Sequence, residues 1–125
     1  ALQKVLIADD EQNIRNILDF SLSSEGFDVI AASSGEEAYS LAQTEAPDLI
    51  ILDVMMPGQG GVETCRRLKS ESQTARIPVI MLTARSSRQD RDSGRSAGAD
   101  GYITKPFSPQ KLIDTVQSIL GVPNE

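Results

Sequence analysis

The residues of this chain that could do chemistry fall in four short stretches: Asp9-Asp10-Glu11, Asp53, Thr83-Ala84 and Lys105. The chain has no histidine and a single cysteine, Cys65. The commonest metal ligand and general base is therefore missing, and neither an internal disulfide nor a multi-cysteine zinc site can form. Chemistry must rest on carboxylates, hydroxyls and lysine. If Asp9, Asp10 and Asp53 meet, their repulsion has to be relieved by protons or by a cation. An all-oxygen donor set suits a hard ion, Mg²⁺ before Ca²⁺, and Mg²⁺ takes few protein ligands because it keeps several waters. A Thr83 hydroxyl and a Lys105 ammonium in the same crevice would hold the oxygens of a phosphoryl group. Ala84 is small enough to leave that approach open. A carboxylate that attacks phosphorus there would form an acyl phosphate.

Taken singly, each residue has a plainer reading. Asp9 or Asp10 can cap a helix, Thr83 can bond the backbone at a strand end, and Lys105 can be a solvated amine. What joins them is position, because each stretch directly follows a short apolar run. Those runs are Val5-Leu6-Ile7-Ala8, Val29-Ile30-Ala31-Ala32, Leu49-Ile50-Ile51-Leu52, Val79-Ile80-Met81-Leu82 and the weaker Gly101-Tyr102-Ile103-Thr104. The first, third and fourth are apolar throughout, as strands buried on both faces of a parallel sheet must be. Helices have to cover both faces.

Amphipathic segments between the runs supply them. Ile14, Ile17, Leu18 and Leu22 form an apolar face that ends at Gly26. Ser34-Gly35-Glu36-Glu37 has the form of a capping box ahead of Ala38, Leu41 and Ala42, and Pro47 lies beyond the end of that helix. Val62, Cys65 and Leu68 mark a third helix, with Cys65 read as core and a reactive thiol as the alternative. Leu112, Ile113, Val116, Ile119 and Leu120, between Ser108 and Gly121, mark the last. Ser86 to Ala97 is nearly devoid of apolar residues and carries Gly94, so a fourth helix there is expected to be marginal. The resulting βαβαβαβαβα order predicts an α/β, flavodoxin-like, doubly wound sheet of five parallel strands in the order 2-1-3-4-5. Ligands of such sheets bind beyond the carboxyl ends of the strands, where all four stretches lie.

The 125 residues suit one domain, 1–125, with 122–125 as a tail or the start of a linker. A formal net charge of −6 argues against a nucleic-acid surface and against anionic lipid. No apolar run approaches the roughly 18 residues of a membrane span, and Ala1-Leu2-Gln3-Lys4 shows no signal-peptide core. The expectation is a soluble cytoplasmic domain.

Together, Asp9-Asp10-Glu11, Asp53-Val54-Met55-Met56-Pro57-Gly58, Thr83-Ala84 and Lys105-Pro106-Phe107 resemble the motif set of CheY-like response regulator receiver domains, over nearly the whole chain. The resemblance implies a phosphorylation switch of a two-component system or phosphorelay rather than an enzyme. It implies Asp53 as phosphoacceptor and Mg²⁺, replaceable by Mn²⁺, held by Asp10, Asp53 and the Met55 carbonyl, with Asp9 acting through water. Thr83, Ala84 and Lys105 would bind the phosphoryl group, and Lys105-Pro106 would be cis. Tyr102 would be the aromatic switch residue, against the alternative of a fixed, half-buried strand aromatic. Met55 and Arg85 stand at positions that modulate dephosphorylation in such domains. No histidine here can donate a phosphoryl group, so the donor would be a sensor histidine kinase, a histidine phosphotransfer protein or a small acyl phosphate. An output domain or protein would lie downstream.

Several residues depart from the family pattern. Pro57-Gly58-Gln59-Gly60-Gly61 suggests a looser loop than usual. Arg95, Gly101 and the lack of arginines in the last helix favour a monomer or weak dimer over the charged dimers of one subfamily. A haloacid-dehalogenase-like phosphatase would need an acid where Met55 stands, and a flavin or nucleotide module would need a glycine- or hydroxyl-rich loop after the first strand. A receiver-like module that binds partners without phosphorylation would be expected to have lost some of these residues.

Overall fold

The computed structural model describes residues 2–84 and 88–121. Arg85 and residues 122–125, about which the sequence raised expectations, lie outside the described residues. Ten elements alternate: β1 (Lys4–Ala8), α1 (Gln12–Ser24), β2 (Asp28–Ala32), α2 (Gly35–Glu45), β3 (Leu49–Asp53), α3 (Gly61–Ser70), β4 (Val79–Ala84), α4 (Arg88–Ser96), β5 (Gly101–Lys105) and α5 (Pro109–Leu120). All strand pairs are parallel, in the order β2-β1-β3-β4-β5. The expected fold is the one observed.

Residues of β1, β3 and β4 are buried almost throughout, because helices press on both faces of the sheet. Two cores result. One gathers Leu6, Ile50, Leu52, Val79 and Met81 with Ala38, Ala42, Cys65 and Leu68 of α2 and α3. The other gathers Val5, Ile7, Leu49, Ile51, Ile80 and Leu82 with Leu18 and Leu22 of α1 and Leu112, Ile113 and Val116 of α5. Cys65 is a core residue, its Sγ 3.6 Å from the Ala97 carbonyl and its thiol pushed up to about 11, chiefly by burial.

Helix ends follow the sequence with one local change. Ser34 accepts from the Glu37 N–H at 3.1 Å, but Glu37 reaches back to the N–H of Ser33, one residue earlier than a standard capping box. Ser108 caps α5 through the Lys111 N–H with Pro109 in the first turn, and Gly121 ends the helix at φ 70°. The apolar face expected of α1 is narrower than its sequence suggests. Leu18 and Leu22 are fully buried, whereas Ile17 is 44% exposed. The buried stripe runs through Leu18, Ser21 and Leu22, and Ile17 sits a quarter-turn off it. Among the described side chains of α4, none is buried; Ala97, just past its end, is the nearest anchor.

Candidate functional site

Because the strands pair in register, their carboxyl ends form one line. Ala8 lies beside Leu52, Asp53 beside Leu82, and Ala84 beside Lys105. Asp9 thus follows β1 next to the end of β3, while Asp53 and Lys105 close their own strands and Thr83 is the last residue but one of β4. Asp9, Asp10 and Asp53 offer carboxylate oxygens that all lie within 4.8 Å of one another. Asp9 and Asp53 are buried and Asp10 is exposed.

The Lys105 ammonium sits between two of these acids, 3.0 Å from Asp9 Oδ2 and 3.1 Å from Asp53 Oδ2. Burial alone would lower its pKa, but its bonds to Asp9 and Asp53 outweigh that and hold it above the ordinary value. Asp53 moves the other way. Burial, and then the charge of Asp9, push its carboxyl up to about 6, against the opposing pull of Lys105. Its Oδ1 accepts from the Met55 N–H at 3.2 Å. Asp9 uses both oxygens: Oδ2 meets Lys105, and Oδ1 accepts from the Glu11 N–H at 2.9 Å. It therefore does part of the capping work at the start of α1, where Glu11, the formal cap, makes no side-chain bond.

Thr83 Oγ1 is buried and has no hydrogen-bond partner among the described residues. A buried hydroxyl gains from a partner, which a group entering the site could supply. Ala84, the residue after Thr83, borders a crevice of about 470 Å³ together with Asp10, Asp53, Met55 and Lys105. The Met55 side chain stands at its rim, 70% exposed. The donor set fits a hard divalent cation: it is all oxygen and crowded with carboxylates. Tyr102 lies opposite Met81 in β5, two residues before Thr104, the neighbour of Thr83, and is half-buried against the core of α2 and α3, with its hydroxyl sealed from solvent.

Sequence reasoning missed two contributors. Arg15 donates from Nη1 to the Asp9 carbonyl at 2.8 Å and so fixes the turn that carries the acidic pair. Its position one helical turn after Glu11 was the available signal. Gln59 was read only as part of a loose loop. Instead it donates to Thr64 Oγ1 at 3.0 Å and accepts from Arg67 Nη1 at 2.6 Å, which ties that loop to α3.

A doubly wound sheet that gathers three acids, a free hydroxyl and a lysine at the carboxyl ends of β1, β3, β4 and β5 is the architecture of a phosphorylation-dependent signalling module. The family model of the response regulator receiver domain matches residues 5–117, and the chain belongs to that family. The alkaline phosphatase synthesis transcriptional regulatory protein PhoP of Bacillus subtilis is 47% identical over 118 residues, which make up 94% of this chain and 48% of that protein. The chain thus spans about half the length of this curated relative. A solved response regulator from Chloroflexus aurantiacus is 36% identical, with a TM-score of 0.94 over 97% of this chain and 99% of that one. The receiver domain of a sensor histidine kinase from Pseudomonas aeruginosa, solved with a magnesium ion coordinated in its active site cleft, is 28% identical, with a TM-score of 0.90 over 97% of this chain and 99% of that one. Among the described residues, no helix is long and apolar enough to cross a membrane.

Proposed function

We propose that Asp53 accepts a phosphoryl group and that the domain signals by the change this causes around Thr83 and Tyr102. The observation that carries the reading is the meeting of Asp9, Asp10 and Asp53 within 4.8 Å, with Lys105 bridging two of them. Asp10, Asp53 and the Met55 carbonyl would hold Mg²⁺, and Asp9 would act through a water. The cleft-bound magnesium of the Pseudomonas aeruginosa receiver supports that choice of ion. When bound, Mg²⁺ neutralises charge on the equatorial phosphoryl oxygens.

A carboxylate oxygen of Asp53 attacks phosphorus, the bond from phosphorus to the donor histidine nitrogen breaks, and that nitrogen leaves with the electron pair. Lys105 holds a phosphoryl oxygen and, in doing so, gives up part of its pairing with Asp53. Thr83 gains the partner its hydroxyl lacks, and Ala84 leaves room for the group to enter. The donor is a phosphohistidine of a sensor kinase or phosphotransfer protein, and the output lies in further domains or proteins. The domain assists only its own phosphorylation and dephosphorylation. Incubation with Mg²⁺ and acetyl phosphate should add one phosphoryl group by intact mass, and Asp53→Asn should abolish the addition. Unchanged labelling of that variant would remove Asp53 from the reaction.

A further inference from the structure

We propose that Gln59 and Arg67 form a clamp that positions the metal-binding loop, a task that falls to them because α3 begins without a side-chain cap. The inference rests on the metal site read above. The loop from Val54 to Gly60 carries the Met55 carbonyl and ends at Gly60, the N-cap of α3, which has no side chain to offer the helix. Gly61 follows and touches the site directly. Its N–H donates to the Val54 carbonyl at 3.1 Å, and a Cβ in its place would run into the Asp53 carbonyl. The start of α3 is therefore part of the frame that sets Asp53.

That frame is built from Gly58, Gly60 and Gly61, with Gly58 at φ +69°, and such a stretch loses much freedom on ordering. Gln59 is the one residue among them with a polar side chain, and all of it is engaged. Nε2 donates to Thr64 Oγ1, and Thr64 Oγ1 in turn donates to the Gly60 carbonyl at 2.9 Å, which closes a ring across the helix start. Thr64 is fully buried, so the hydroxyl at the centre of this ring is shielded from competing water. Oε1 takes the 2.6 Å bond from Arg67. Arg67 is itself held, because its guanidinium lies 3.8 Å above the centre of the Tyr39 ring. The Tyr39 hydroxyl bonds Glu71, and Gln43 Nε2 bonds both the Tyr39 hydroxyl and Glu71 Oε1, each at 3.1 Å. The loop beside the metal site is thus referenced to α2 and α3 through side chains that never touch the ion.

Gln59 and Arg67 are positioning residues, and the test must separate them from general stability. Mg²⁺ affinity by calorimetry and amide exchange of Gln59 and Gly61 in the metal-free protein should be measured for the wild type, Gln59→Ala and Arg67→Ala. Both variants should bind Mg²⁺ roughly 3- to 10-fold more weakly, less than the roughly 10- to 100-fold of partners that bond a metal ligand directly, because the clamp acts only through the loop backbone. Both should exchange faster at Gln59 and Gly61, with helix α1 unaffected. Adding Gly60→Asp to Gln59→Ala should restore much of the affinity, since a carboxylate at the N-cap holds the same helix start from the other side. Affinity and exchange equal to the wild type in both variants would overturn the clamp, as would a loss that Gly60→Asp leaves unrepaired. An Asp10→Ala control that binds Mg²⁺ as well as the wild type would instead sink the metal site itself, and the metal-free exchange rates would still decide on the clamp.

Discussion

Asp53 resists ionisation in the metal-free protein, first because it is buried and then because Asp9 lies beside it, even with an ammonium 3.1 Å away. Its carboxyl moves from 3.8 to about 6, so the folded state binds the proton more tightly than the unfolded chain does. Stability from this group is therefore greatest below pH 4 and is lost as pH rises through about 6. Lys105 has the same sign at a higher pH: its raised pKa contributes stability throughout neutral pH that is lost only above its ordinary alkaline range. Asp53→Asn should accordingly stabilise the metal-free protein at pH 7, with the gain shrinking to near zero by pH 4. Urea unfolding of both proteins across that range checks it, and an equal difference at both ends would show that Asp53 ionisation is not the cause. Met55 offers a second test at this scale. A thioether at the crevice rim cannot activate water, so Met55→Glu should speed loss of the phosphoryl group from Asp53, read as phosphate release at fixed Mg²⁺. Equal rates would take Met55 out of the mechanism.

Among the elements, α3 and α4 carry the weaknesses that matter for function. With Gly60 at φ −71° and ψ 174°, the N-cap of α3 already has the backbone geometry that aspartate prefers, and a Cβ there would meet nothing nearer than the Val54 carbonyl at 3.4 Å. Gly60→Asp in the wild-type background should thus stabilise the protein by about 1 kcal/mol, through the cap, the helix dipole and a less flexible unfolded chain. A lower melting temperature for this variant would contradict the geometry. Helix α4 has no buried side chain among its described residues, so its amides should exchange faster than those of α1, where Leu18 and Leu22 are fully buried. Exchange at Arg88–Ser96 as slow as in α1 would refute this. A helix held so lightly costs little to move, which would suit the change around Thr83 and Tyr102 proposed above.

At the scale of the whole molecule, the crowding of acids at one end of the sheet makes metal binding and folding a single linked equilibrium. Saturating Mg²⁺ should raise the melting temperature of the wild type, by about 2.7 kcal/mol of stability at a hundredfold excess over the dissociation constant, and should do so far less for Asp10→Ala. Equal shifts would mean that the ion binds elsewhere. Most of the architecture behind these expectations was legible in the chain itself. Runs such as Leu49-Ile50-Ile51-Leu52 can only be strands covered on both faces, Ser34 and Ser108 announce helix starts, and parallel crossovers leave few orders for five strands. The candidate site was legible for the same reason, since a residue just past a buried run must emerge at the sheet's carboxyl edge. All these signals are local, confined to a few neighbouring residues. What the tertiary structure decided was distance and partnership across elements: that Lys105 spans Asp9 and Asp53, that Asp9 spends its second oxygen on the Glu11 N–H, and that Arg15 grips the Asp9 carbonyl. It also decided that Ile17 faces solvent, and that a loop with three glycines is pinned by Gln59. Strand register and helix docking set these relations, and they depend on side chains far apart in sequence that meet only when the two cores close.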